Sequence, residues 1–133
     1  MLNKERTRME IVKFFFTLQH QVKLYHWQTS VYARHIASDT LGIGLAPLID
    51  QFVEVLQGKY NRRVSLKGGN GSMNITIEQI DDVTIVDYLR KATEYLDALV
   101  SRGLVREQDT DLLNIRDEIV ALINQTLYLF SFQ

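Results

Sequence analysis

The feature that most constrains this chain is a helical spacing of apolar residues over long stretches. Apolar side chains recur at every third or fourth position in two runs, which contain Ile11, Phe14, Phe15, Leu18, Val22 and Tyr25, and Leu112, Ile115, Ile119, Leu122, Ile123 and Leu127. This is the period of one face of an α-helix. The 133 residues include a single proline, so little in the chain interrupts a helix. We therefore expect an all-α fold.

Four helices are predicted, over residues 4–28, 31–57, 83–102 and 107–132. Thr29 and Ser30 separate the first helix from the second, Gly58 suits the exit of the second, and Gly103 ends the third. Pro47 lies inside the second helix. Because proline lacks an N–H and its ring crowds the preceding turn, it predicts a kink near residues 42–44.

A long connection separates the second and third predicted helices. Its segment 67–72 is rich in glycine and reads as a loop. By contrast, Ile75, Ile77 and Ile80 predict an ordered piece that packs onto the helices. Connections that are short, long and short in that order are typical of a ferritin-like four-helix bundle. We expect one such domain over residues 1–133.

The charge of the chain is balanced overall but uneven along its length. Fifteen Lys and Arg against 16 Asp and Glu give a net charge of -1, which argues against wholesale polyanion binding of the histone type. The first 77 residues hold 10 basic and 5 acidic side chains, whereas the remainder holds 5 and 11. Residues 59–67 carry four basic side chains and no acid. This stretch is either a solvated loop or a contact for DNA, another polyanion or an acidic neighbour.

The composition also predicts the surroundings of the protein. The chain has no cysteine, which excludes disulfides, thiolate metal sites and cysteine nucleophiles and fits a reducing compartment. No apolar run approaches the roughly 18–20 residues of a membrane span, and no apolar stretch follows the N-terminal charges as in a secretory signal. We expect a cytoplasmic protein without membrane association.

Three histidines and a few carboxylates are the residues best suited to chemistry. His26 ends the first predicted helix, while His35 and Asp39, and also Asp50 and Glu54, stand four residues apart on the second. Fifteen residues separate His35 from Asp50, roughly 22 Å along one helix, so the two cannot share a metal within one chain. Two second helices packed antiparallel across a two-fold axis would bring the two groups together. Mixed imidazole and carboxylate ligands suit iron, manganese or zinc.

Other readings of the polar residues stay open. A metal site made of carboxylates alone is also conceivable. In a ferritin-like topology several acids could lie at a similar level along the bundle axis, namely Glu10, Asp50, Glu54, Asp117 and Glu118. His20 is expected at the surface or the edge of the core, and Trp27 is expected either to brace His26 or to pack at the end of the bundle. A conventional di-iron bundle would need Glu-x-x-His pairs on two helices, and the sequence has none.

The sequence around these residues resembles the Dps family, the mini-ferritins. The pair His26-Trp27, followed by His35, Asp39, Asp50 and Glu54, is similar to the ferroxidase signature of that family, with matching intervals from His35 onward. A second likeness joins residues 26–29 and 111–119 to an uncharacterised Dps-like family of phages and large DNA viruses.

The resemblance implies a function. Dps proteins form hollow, usually dodecameric shells, bind Fe(II) between two-fold-related subunits, oxidise it with peroxide or O₂, and store the ferric product. The resemblance therefore implies a ferroxidase that protects against oxidative damage. It also implies these metal ligands and catalytic residues: His26, His35, Asp39, Asp50 and Glu54. The alternatives are a Dps-like structural or DNA- or partner-binding oligomer without catalysis, and a bundle that uses the same ligands for structural zinc.

Overall fold

The structure is a computed structural model that describes residues 4–132, with side chains from Thr7 onward. Over this range the chain forms four helices and no strand: α1 (Lys4–Gln28), α2 (Tyr32–Tyr60), α3 (Thr84–Asp97) and α4 (Thr110–Phe130). The predicted all-α class and helix number are confirmed. None of these helices combines the length and the apolar character that crossing a membrane requires.

The first two helices form an antiparallel hairpin. Residues 29–31 make the turn, and Thr29 fixes it because its hydroxyl accepts a hydrogen bond from the Val31 N–H at 3.2 Å. Further along the hairpin, the rings of Phe15 and Phe52 meet edge to face at 5.2 Å. Helix α2 runs unbroken through Pro47. The kink predicted near residues 42–44 stays a prediction.

The connection after α2 returns along α1 to the opposite end of the molecule. The amide of Gln21 donates to the Glu78 carbonyl at 2.8 Å and accepts from the Glu78 N–H at 3.0 Å. Ile80 is buried in the core, while Ile75 and Ile77 are half-buried. The prediction of an ordered piece packed on the helices is confirmed.

The directions of the last two helices follow from their contacts. Helix α3 starts beside the end of α1, and Tyr95 near its end stacks on Phe14 at 4.1 Å, so α3 runs antiparallel to α1 and parallel to α2. Lys59 reaches Asp111 at the start of α4, and Arg34 reaches the Phe130 carbonyl at its end. Helix α4 is therefore antiparallel to α2, and the single long connection is a crossover.

All four helices bury their apolar faces in one core. The residues predicted for α1 and α4 supply much of it: Ile11, Phe15, Leu18, Val22, Tyr25, Leu112, Ile115, Ile119 and Ile123 are buried. Helix α2 adds Leu41, Leu45, Phe52 and Leu56, and α3 adds Ile85, Leu89 and Leu96. Burial of this apolar surface is the main stabilising contribution to the fold.

Several predicted helix bounds differ from the structure. Helix α4 begins three residues after and ends two residues before its predicted bounds, and α2 and α3 each begin one residue late. Helix α3 ends at Asp97, five residues before the predicted end, because the chain turns to bury Leu99, Leu104 and Val105. Gly103 supports this turn with a φ of 74°. Helix α2 continues to Tyr60, three residues beyond the predicted end, and closes at Asn61, which is in the left-handed region with a φ of 52°. Gly58 is therefore inside the helix.

Candidate metal centre

The α1–α2 turn brings two histidines into direct contact. His26 lies in the last turn of α1 and His35 in the first turn of α2. Their rings stack with centroids 3.9 Å apart and an angle of 15° between planes. The nine-residue interval between them is thus compatible with a paired arrangement of imidazoles.

Reciprocal hydrogen bonds fix both rings. The Nδ1 of His26 lies 2.8 Å from the His35 carbonyl oxygen, and the Nδ1 of His35 lies 2.8 Å from the His26 carbonyl oxygen. A carbonyl can only accept, so each Nδ1 is the donor and carries the proton. In the neutral rings each Nε2 then holds a lone pair. A hydrogen bond from one ring nitrogen to a carbonyl is the usual way in which proteins orient a metal-binding histidine.

Asp39 completes the local group. Its Oδ1 lies 3.9 Å from the His26 Nε2, too far for a hydrogen bond. Two ligands of one metal, each about 2.1 Å from it, stand about 3.0–3.4 Å apart in octahedral or tetrahedral geometry. The Asp39 carboxylate is 44% exposed, and its 3.9 Å distance from the His26 Nε2 is longer than that range. His26 therefore lies close to both His35 and Asp39.

The second predicted pair stays apart from this group in one chain. Asp50 and Glu54 are exposed on α2, and the face that carries them also carries Asp39. Among the described residues no group of three or more His, Cys, Asp or Glu side chains could hold a metal ion.

The cluster of carboxylates alone is not formed in the described part of the chain. Its members Glu10, Asp50, Glu54, Asp117 and Glu118 are all exposed, and they form no metal-holding group. Asp117 instead pairs with its neighbour Arg116 at 2.7 Å.

Exposed apolar side chains lie on the two helices that carry the histidine pair. Ile36 and Ile43 on α2 are 47% and 68% exposed, and Phe16 and Trp27 on α1 are 46% and 69% exposed. The expectation that Trp27 packs at the end of the bundle is therefore wrong; its ring lies outside, under Lys23. A groove of about 430 Å³ runs between α1 and α2 beside His26. His20, exposed as expected, lines it.

Sequence reasoning missed a buried polar cluster at the far end of the molecule. The fully buried Asp109 accepts hydrogen bonds from the Tyr60 hydroxyl and from the backbone and side chain of Arg106, and it pairs with Lys59 at 3.3 Å. Burial opposes ionisation of Asp109, but these bonds outweigh it and hold its pKa below the usual value. Fifty residues separate Asp109 from Lys59, so no local pattern in the sequence could have revealed the cluster.

A second polar cluster joins the opposite ends of the helices. The Asp82 carboxylate accepts from Tyr25 at 2.6 Å and from Thr29 at 2.8 Å. Arg34 donates to the carbonyls of Asp82 and Phe130. The hydrogen bond from Tyr25 lowers the pKa of Asp82. This cluster fixes the α1–α2 turn, and with it the histidine pair, against the crossover and the end of α4.

Part of the basic stretch of residues 59–67 pairs with acidic side chains in the folded chain. Lys59 pairs with Asp109 at 3.3 Å and with Asp111 at 2.9 Å, acids that are distant along the chain. Arg63 and Lys67 are exposed. The folded chain therefore neutralises part of the charge that the sequence shows without an acid nearby.

The fold and this site define an all-α chain of four helices with a histidine pair held at a hairpin turn. Residues 26–130 match a family of unknown function, DUF5856. The chain belongs to that family. No curated protein and no solved structure matches it.

Proposed function

We propose that the protein is a ferritin-like, Dps-like oligomer that binds Fe(II) between two-fold-related chains, oxidises it with peroxide or O₂, and sequesters the product. The topology supports the fold assignment, because α1 to α4 are joined with one crossover between α2 and α3, the connectivity of ferritin-like bundles. The iron is a substrate of this reaction.

The observation that carries the proposal is the hydrogen bonding of the two imidazoles. Since both Nδ1 atoms donate to carbonyls, both neutral rings keep Nε2 available for a metal, and their orientation is set before binding. Two neutral imidazoles and the Asp39 carboxylate form half of a mixed nitrogen and oxygen ligand set of the kind that suits iron.

A second copy would supply the other half through α2. In such a pair, His35 of one chain would lie opposite Glu54 of the second copy, and Asp39 opposite Asp50. One two-fold axis can produce both pairings, because each pair is symmetric about the bond between Gly44 and Leu45. Ile43 lies beside that axis and is 68% exposed, so an antiparallel pair of α2 helices would cover it. Such an interface would repeat the site twice.

The ligand types suit the proposed chemistry. The carboxylates of Asp39, Asp50 and Glu54 would balance the charge of iron and favour the ferric product, because they are hard anionic ligands. The imidazoles would fix the geometry and leave coordination positions for the oxidant. Each peroxide would accept one electron from each of two ferrous ions.

The test is anaerobic loading of the purified protein with Fe(II), followed by peroxide, with ferric absorbance measured against a protein-free control. We expect fast oxidation that saturates near two Fe(II) per site, with a soluble product. Asp50→Ala/Glu54→Ala and, separately, His26→Ala/His35→Ala should each remove the fast phase. Glu94→Ala/Asp97→Ala also removes two exposed helical acids, and it should leave the rate unchanged. Equal rates in all variants would overturn the site.

A non-catalytic oligomer is the second candidate, favoured by the exposed Ile36 and Ile43, which call for a partner chain with or without a metal. Light scattering after size exclusion separates the two. An oligomer that dissociates on Ile43→Glu, but oxidises Fe(II) no faster than the protein-free control, supports this second function. Bound zinc in the purified protein, with no oxidation, would instead indicate a structural metal.

A further inference from the structure

A cleft of about 620 Å³ lies away from the histidine pair, between α1 and the glycine-rich part of the crossover. Met9, Glu10 and Lys13 form one wall, and residues 65–74 contribute the other. The Leu66 carbonyl accepts hydrogen bonds from Gly69 at 3.2 Å and Gly71 at 3.1 Å, which closes the loop over the cleft. The volume is within the range of about 300–1,000 Å³ that holds small molecules.

The lining of the cleft includes several hydrogen-bond donors. The consecutive amides of Ser72, Met73 and Asn74 donate to no acceptor among the described residues. The Lys13 ammonium likewise makes no ion pair within the described range. Together with the Ser65 and Ser72 hydroxyls, these groups favour a bound anion, because successive backbone N–H groups and a cation act on it jointly.

The lining also offers apolar contacts for a flat ring. Met9 and Met73 are two of the three methionines in the chain, and both line this cleft, half-buried, beside Leu66. Thioether sulfur makes favourable contacts with aromatic rings. Glu10 adds a carboxylate that can accept from an amino or hydroxyl group.

We propose that this cleft binds a nucleoside monophosphate. The phosphate is held by Lys13 and the amides of residues 72–74, the base lies against Met9 and Met73, and Glu10 accepts from a ribose hydroxyl or an exocyclic amine. The loop lacks the Gly-Lys-Ser/Thr ending of a triphosphate-binding P-loop. The site is independent of the metal centre.

The experiment is a ¹H–¹⁵N NMR titration of the whole chain with AMP, with adenosine and inorganic phosphate as separate ligands. We expect saturable shifts at the amides of residues 72–74 with a Kd in the range of about 0.1–1 mM for AMP, and at least about tenfold weaker binding of either fragment. Lys13→Gln should weaken AMP binding about tenfold through the lost charge-assisted bonds. Lys23→Gln removes an exposed lysine of the same helix that does not line the cleft, and it should bind AMP like the parent.

Three results would overturn the proposal. The first is the absence of saturable shifts at residues 72–74 in a folded sample. The second is phosphate or adenosine binding as tightly as AMP. The third is an equal response of the Lys13→Gln and Lys23→Gln variants. Because the spectrum itself reports folding, a variant that unfolds is recognised directly, and Lys13→Met then provides a second test with an uncharged side chain of similar length.

Discussion

Replacing Asp109 by asparagine should destabilise the protein strongly, because it removes the charge at the centre of a buried cluster. Its side chain has no exposed surface and faces the cations of Lys59 and Arg106 and the Tyr60 hydroxyl. Hydrogen bonds to a charged group contribute about 1.5–3 kcal/mol, and part of the loss is recovered because asparagine still accepts one bond. We expect a net loss of about 2–3 kcal/mol. For 133 residues, this lowers Tm by about 7–11 °C.

Asp111→Asn is the matched control. Asp111 also contacts Lys59, at 2.9 Å, but its side chain is 51% exposed, so the interaction is screened by solvent and contributes little. Thermal unfolding followed by circular dichroism at pH 7 measures both variants. If the Asp109→Asn and Asp111→Asn proteins melt within about 2 °C of each other, then burial does not determine the strength of these contacts and the reasoning fails.

The pH dependence of the same pair gives a second measurement. Because the folded-state pKa of Asp109 is lowered, its contribution is fully present above the unfolded value of about 3.9. That contribution is lost as the pH falls through the lower folded-state pKa. The difference in stability between the parent and Asp109→Asn should therefore narrow between pH 5 and pH 3. A constant difference over this interval would show that folding does not lower the pKa of Asp109, because the folded and unfolded states would then bind protons equally.

Two further pairs of variants test local packing. A Cβ at Gly42 meets open space, so Gly42→Ala should raise the free energy of unfolding in urea by about 0.5–1 kcal/mol through its higher helix propensity. Gly44→Ala should gain less, because its Cβ would stand 2.7 Å from a Leu122 methyl. Equal gains would contradict this contact. The buried Tyr95 hydroxyl has no hydrogen-bond partner in the described structure, so Tyr95→Phe should leave the stability unchanged or raise it. Tyr25→Phe loses a 2.6 Å hydrogen bond to a carboxylate and should lower the free energy of unfolding by about 1–2 kcal/mol. The opposite order in thermal unfolding would refute this assignment.

The sequence predicts the helices well where their apolar spacing is regular. The bounds of α1 match the prediction, since its period continues without a break to Gln28 and Thr29 then interrupts the helix. The end of α3 does not match. Leu99 continues the helical period, but its burial depends on a turn that also buries Leu104 and Val105, and such a turn is fixed by tertiary packing.

The site was predictable in its positions and not in its bonding. Placement of His26 and His35 at one turn follows from the helix ends, whereas the exchange of hydrogen bonds between their rings and carbonyls depends on backbone geometry that spacing does not encode. The proposed partner acids, Asp50 and Glu54, would have to come from a second chain, so a prediction from one sequence can state only the symmetry that would bring them close.

The attachment of the crossover determines where a protease cuts the chain and whether the fragments stay together. Near its end it is attached to α1 at two successive residues, by Gln21 to the backbone of Glu78 and by Gln28 to the side chain of Gln79. Its glycine-rich part is exposed and is supported mainly by its own turn at Leu66. A protease should therefore cleave first between residues 67 and 72. The two fragments would then stay together as a single particle, because the shared core and the attachments of the crossover to α1 lie outside the cleaved loop.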